Sequence, residues 1–115
     1  MDCLFCKIIQ GKIPSSKVYE DEDVIAFKDI LPQAPVHFLF VPKNHIQSLA
    51  HITEDHLPMV SKVFGAVIKV AKQEGLDQTG FRTTINTGQN GCQTVHHLHV
   101  HLLAGTQLGG NLSGI

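Results

Sequence analysis

The sequence predicts an α+β domain with a five-stranded, mainly antiparallel sheet, one long helix and one short helix. Three observations carry this expectation. Short runs rich in apolar residues lie between Gly, Pro and Asp punctuation, as strands do. One stretch, Leu57 to Ala71, repeats its apolar residues at helical spacing. The connections between strands are mostly of hairpin length, which favours antiparallel pairing over crossovers.

Taken in order, Cys3 to Gln10 reads as the short helix, ended by Gly11, with Leu4, Phe5, Ile8 and Ile9 as its apolar side. Lys17 to Glu20 and Val24 to Asp29 read as two strands joined by an acidic turn at Asp21-Glu22. Pro32 and Pro35 mark a loop, and Val36 to Val41 follows as a third strand closed by Pro42. Leu57, Val60, Phe64, Val67, Ile68 and Ala71 share one helical face, and Gly75 suits the position just past the helix end. Pro58 is comfortable only in a first turn, so Asp55 is the expected N-cap, unless the first turn is distorted. Phe81 to Asn86 and His97 to Leu103 supply the last two strands, separated by the glycine-containing loop Thr87 to Gln93. The chain reads as one domain over residues 1–115, with residues 107–115 as a tail.

At 115 residues such a domain buries roughly two-thirds of its unfolded surface. A formal net charge of −1 makes no electrostatic case for nucleic acid or an anionic membrane as partner. No apolar run approaches the ~18 residues of a transmembrane helix, and no charged segment followed by an apolar core marks a signal peptide, so a cytoplasmic location is expected. Three cysteines argue for thiol or metal chemistry rather than a disulfide framework. The anomaly is eight histidines.

Three of them alternate with aliphatic residues in His97-Leu98-His99-Val100-His101-Leu102-Leu103. On a strand they share one face at roughly 6.6–6.8 Å intervals, while Leu98, Val100 and Leu102 face the core. The plainer reading is histidines on a solvated face, yet three imidazoles on a strand with a buried back are costly for stability alone. The stretch matches the signature of the histidine triad family, and Asn86-Thr87-Gly88, Gln93-Thr94-Val95 and Asp29-Ile30 resemble its Hint branch, the nucleoside phosphoramidate hydrolases. The resemblance runs from about Cys3 to Leu103.

It implies a triad-type fold and hydrolysis of a purine nucleoside 5′-phosphoramidate through a nucleotidyl-histidine. His99 would be the nucleophile, and an imidazole attacks phosphorus only when it is neutral with a free nitrogen toward the substrate. His101 resembles the family's donor to the phosphoryl oxygens, His97 completes the triad, and His37 matches the fourth histidine that positions the network. Taken alone, His37 reads as a satisfied core residue. Asn86, Thr94 and the backbone of Val95, in the Gln93-Thr94-Val95 motif, fall to the phosphate and its ester oxygen. Asp29 falls to the ribose hydroxyls, with Ile30 and Phe27 beside the nucleoside. No divalent metal is expected in catalysis, because polar side chains already surround the phosphate. The resemblance also implies a homodimer in which two sheets meet edge to edge and the long helices pack together.

Cys3-Leu4-Phe5-Cys6 is a C-x-x-C that redox chemistry, unligated thiols or zinc each explain. A thioredoxin-like site would follow a strand, which is lacking here, and zinc needs two further ligands. Bacterial triad proteins with this motif resemble the chain and complete a structural zinc site with the residues that here are His45 and His97. Three departures bear on substrate choice. Cys92 stands where Gly or Ala is usual, Ala104-Gly105-Thr106 replaces Gly-Gly-Arg, and the tail lacks tryptophan. Competing functions are dinucleoside polyphosphate hydrolysis, nucleotidyl transfer and, in another class, non-catalytic nucleotide or zinc binding by an interaction protein.

Overall fold

Two strands carry the most apolar sequence, and they lie side by side inside the sheet. In the computed structural model, which describes residues 3–110, Val24–Lys28 (β2) pairs with Val36–Pro42 (β3) in an unbroken antiparallel ladder from Val24–Pro42 to Lys28–Phe38. Lys17–Glu20 (β1) flanks β2, and Val100–Ala104 (β5) flanks β3, with Arg82–Thr84 (β4) outside it. The order is β1-β2-β3-β5-β4 and every pairing is antiparallel. This is the expected five-stranded sheet.

Residue parity divides the sheet into two faces, as the two-residue strand period requires. Val24, Ala26, Phe38, Phe40, Val100, Leu102 and Ala104 form one apolar layer with Val63, Ala66, Val67, Val70 and Ala71 of the long helix Leu57–Gln73 (α2). Ile25, Phe27, Leu39 and Val41 point the other way and meet Cys3 and Phe5 of the N-terminal segment. The short helix Leu4–Ile9 (α1) thus covers part of the face opposite α2. It closes as a Schellman motif, with Gly11 N–H on the Ile8 carbonyl at 3.0 Å and Lys12 N–H on the Lys7 carbonyl at 2.8 Å. Gly11 takes φ +77°, which glycine adopts without a Cβ clash.

Four boundaries differ from expectation. Asp55 is not the cap of α2. Glu54–His56 instead forms a 3₁₀ turn that runs straight into the helix, and the Thr53 N–H donates to His56 Nδ1 at 3.0 Å. Pro58 sits in the first turn as expected. Gly75, at φ +72°, ends α2, but the chain then makes one more turn, Leu76–Thr79 (α3), because burying Leu76 in the α2-side core holds it there. β4 is three residues rather than six. β5 starts at Val100 rather than His97, because the Leu98 N–H is taken by the Ile46 carbonyl at 2.6 Å and the His97 N–H by Val95 at 2.9 Å. The triad therefore enters the sheet from an irregular approach. Residues 107–110 of the tail carry no helix or strand, and the rest of it lies outside the described residues. No described helix is long and apolar enough to cross a membrane.

Candidate active site

The β3–β5 register puts Leu39 opposite His101 and His37 opposite Leu103, so His37 and His101 project diagonally from the face not covered by α2. Their ring nitrogens, His37 Nε2 and His101 Nδ1, lie 2.9 Å apart. Which atom donates follows from the backbone. The Gln33 N–H donates to His37 Nδ1 at 3.0 Å, so a neutral His37 carries its hydrogen on Nε2. That hydrogen is donated to His101 Nδ1, which leaves the His101 hydrogen on Nε2. His101 thus offers an N–H outward.

His99 is held in the opposite sense. Its Nδ1 lies 2.7 Å from the His97 carbonyl, an acceptor, so Nδ1 carries the hydrogen and Nε2 keeps an unshared pair. Burial is the main cause that pushes the His99 pKa below its ordinary 6.5, opposed by the hydrogen bond to the His97 carbonyl and then by Asp29. His101 is pushed down to about 4 by burial first, then by the neighbouring His99 and His37. Both rings are therefore neutral at pH 7. The Phe5 ring stands edge-on to His99, centroids 5.0 Å apart at 88°, and His101 is 5.0 Å away on another side. The site pairs a nitrogen lone pair with an adjacent N–H donor.

Both imidazoles open into a cavity of about 250 Å³ that Phe27, Asp29, Ile30, Thr94 and Val95 also line. The structure thus brings seven of the residues singled out from the sequence to one cavity. One Asp29 oxygen accepts the Leu31 N–H at 2.9 Å and the other is 3.4 Å from His37 Nε2. Asn86, two residues beyond the Thr84–His101 pair, and Thr94 make no side-chain hydrogen bond to the protein among the described residues. Gln93 behaves differently. Its oxygen accepts the Gly88 N–H at 2.9 Å and its nitrogen donates to the Gln47 and Val95 carbonyls, at 2.9 and 3.0 Å, so it clasps the loop and does not line the cavity. The loop is tight. A Cβ on Gly91 would meet the Thr87 oxygen at 2.5 Å, and Cys92 adopts φ +59°, a left-handed conformation that favours glycine.

His97 faces away from the cavity. Its Nε2 donates to the Pro42 carbonyl at 2.8 Å, which frees Nδ1 as a lone pair 3.4 Å from Cys3 Sγ and 3.7 Å from Cys6 Sγ. His45 Nδ1 is 3.2 Å from Cys6 Sγ. Tetrahedral zinc, with Zn–S about 2.3 Å and Zn–N about 2.0–2.1 Å, would separate sulfur and nitrogen ligands by roughly 3.5 Å. The Cys3, Cys6, His45 and His97 donors fit a zinc ion, and the Pro42 carbonyl is the outer partner such a histidine needs. Asp29, His37 and His101 form a second cluster of possible ligands. There the Gln33 N–H keeps the hydrogen on His37 Nε2, the atom a metal would need, so this group is built as a hydrogen-bond relay.

Sequence reasoning missed the wall formed by Phe5, Ile8, Ile13, Pro14 and Ser15. The signal was available, since a C-x-x-C tied to His97 brings the apolar side of α1 against the triad. It also missed Gln33, whose contribution is a backbone N–H and leaves no mark on residue type.

The family model described as "Scavenger mRNA decapping enzyme C-term binding" matches residues 2–112. The chain is 41% identical over 108 residues to the purine nucleoside phosphoramidase of Escherichia coli K12, covering 94% of this chain and 91% of that one. A 14 kDa zinc-binding protein of Brassica juncea is 49% identical over 109 residues, covering 93% and 96%. The solved structure of a histidine triad protein from Clostridium difficile superposes with a TM-score of 0.93 at 52% identity, over 96% of each chain. With this likeness over nearly its whole length, and its triad set on the sheet as described, the chain belongs to the histidine triad family.

Proposed function

We propose that the protein hydrolyses purine nucleoside 5′-phosphoramidates through a nucleotidyl-histidine on His99. The observation that carries this reading is the opposed pair of tautomers, a lone pair on His99 Nε2 beside an N–H on His101 Nε2, both opening to one cavity. In the first step the His99 Nε2–phosphorus bond forms, the phosphorus–nitrogen bond of the substrate breaks and the amine departs with a proton taken from solvent. In the second, water attacks phosphorus and returns a proton to solvent, the bond to His99 breaks, and nucleoside monophosphate leaves.

His101 donates to the phosphoryl oxygen as negative charge builds there, and His37 holds the His101 ring. Asn86, Thr94 and the Val95 N–H, the first two with uncommitted side chains, take the remaining phosphate and ester oxygens. Gln93 shapes that cradle from behind. Asp29 receives the ribose hydroxyls, while Phe27 and Ile30 pack near the nucleoside. His97 acts from outside the cavity, through the carbonyl that fixes His99. Cys3, Cys6, His45 and His97 hold a structural zinc ion, which pins α1 against the approach to β5.

The protein is proposed to act as a homodimer through the edge strand β4 and the outer side of α2, where Ile68 and Phe81 are exposed. Pairing there would cover an open sheet edge. Light scattering that returns a single-chain mass at micromolar concentration would reject this.

The test of function is turnover of adenosine 5′-phosphoramidate against diadenosine polyphosphates, measured between pH 5 and 8. The phosphoramidate is expected to be the better substrate. Because burial pushes the His99 pKa below its ordinary value, the rate should fall with decreasing pH only at lower pH than an exposed imidazole nucleophile would show. Preference for the polyphosphate, or turnover of neither, would sink the reading.

A further inference from the structure

We propose that Asp29 is a positioning residue that couples recognition of the sugar to the orientation of His101, so that a bound ribose raises kcat as well as affinity. The inference rests on the phosphoramidase reading above and goes beyond Asp29 as a sugar ligand.

His37 has one ring hydrogen to give, on Nε2, because the Gln33 N–H occupies Nδ1 at 3.0 Å. Two acceptors stand within reach of it, His101 Nδ1 at 2.9 Å and Asp29 Oδ2 at 3.4 Å. The carboxylate is farther but intrinsically stronger, since hydrogen bonds to an ionised acceptor are roughly twice as strong as neutral ones. Its other oxygen is committed to the Leu31 N–H. The His37 side chain is 4% exposed and that of Asp29 20%, which places the carboxylate at the boundary between the buried relay and the open cavity.

A small rotation of an Asp29 that holds no sugar would bring its Oδ2 into competition for the His37 hydrogen, which is otherwise donated to His101 Nδ1 at 2.9 Å. The His101 ring is then free to carry its own hydrogen on Nδ1, and in that tautomer Nε2 has nothing to donate to phosphate. A vicinal diol that donates to Asp29 occupies the lone pairs competing for His37. The His37 hydrogen then stays with His101 Nδ1, and His101 Nε2–H is fixed for the phosphoryl oxygen. Sugar binding and donor orientation become one event, carried by Asp29, His37 and His101.

The experiment compares adenosine 5′-phosphoramidate with its 2′,3′-dideoxy counterpart on wild type and Asp29→Asn. In wild type the dideoxy substrate is expected to lose about tenfold or more in kcat, in addition to a higher KM. In Asp29→Asn no charged acceptor competes, so the two substrates should have kcat values within about twofold of each other. A dideoxy substrate that raises KM and leaves kcat unchanged would overturn the coupling and leave Asp29 a sugar ligand only. A readout independent of turnover is the ¹⁵N imidazole spectrum of wild type saturated with adenosine or 2′,3′-dideoxyadenosine. Adenosine is expected to drive His101 to the Nε2–H tautomer and the dideoxynucleoside is not, while equal tautomer populations in both would reject the proposal. If both nucleosides bind and neither phosphoramidate turns over, the phosphoramidase reading fails, and the spectra still decide the coupling.

Discussion

His99→Ala is expected to abolish turnover, by about 10⁴-fold or more, while the fold and the cavity survive. The size of the loss follows from the role, since removing a nucleophile removes the covalent route entirely and leaves only what binding and electrostatics supply. The fold survives because the His99 side chain contributes one hydrogen bond, to the His97 carbonyl, and an edge contact with Phe5. Neither holds the β3–β5 ladder, which begins at Val100 opposite Phe40. Asp29, Thr94, Val95 and His101 remain around the cavity, so nucleoside monophosphate should bind with little change. Mass spectrometry of acid-quenched wild-type reactions is expected to show a nucleotide on His99 and none on the variant. An active His99→Ala, or an adduct on another residue, would sink the mechanism.

The second large effect is on stability. Cys6→Ser should lower bound zinc from one ion per chain to well below that, as measured by elemental analysis, and lower the melting temperature with it. An ion present at a hundredfold its dissociation constant stabilises by about 2.7 kcal/mol. At about 4–8 °C per kcal/mol for a domain of this size class, the expected fall is roughly 10–20 °C. The cause is geometric. Cys6 lies 3.2 Å from His45 and 3.7 Å from His97, so its sulfur links α1 to the segment after β3 and to the approach to β5. Turnover should drop only modestly below the melting range, because the altered ligands reach His99 indirectly, through the His97 carbonyl and the Phe5 ring of α1. Brief treatment with EDTA should likewise spare activity at low temperature. Wild-type protein purified without chelators and free of zinc would reject the site, and chelation that stops turnover without lowering the melt would give the ion a part in the reaction.

Periodicity made the sheet legible. The apolar runs of Val24–Lys28 and Val36–Pro42 mark strands buried on both faces, the alternation in the triad segment marks a strand with one polar face, and the structure sorts these residues onto two faces. The triad could be named from its residue types and spacing, while Asp29 and Thr94 could be named only through their resemblance to the family's motifs. What the sequence does not display is hydrogen bonding that any residue can make. Leu98 gives its N–H to Ile46, which delays β5 to Val100, and Gln33 gives its N–H to His37, which fixes the tautomer of the relay. Gln93 was legible as a motif member but not as a clasp, because an amide reads alike whether it faces a ligand or a loop. The helix start was misplaced for a related reason. His56 accepts the Thr53 N–H, a part that histidine seldom advertises in sequence.

The strict division of labour along the triad segment has an evolutionary corollary. Leu98, Val100 and Leu102 are buried, the latter two beneath α2, while His97 belongs to the Cys/His cluster and His99 and His101 line the cavity. Within β5, parity keeps Val100 and Leu102 apart from His101. A one-residue insertion or deletion inside Val100–Ala104 would turn aliphatic side chains toward the cavity and an imidazole into the apolar layer, spoiling stability and chemistry at a stroke. Substitution at Leu98 or Val100 by another aliphatic residue costs far less, commonly under about 1.5 kcal/mol. Drift in this segment is therefore free to change side chains of one kind for another, but its length is fixed.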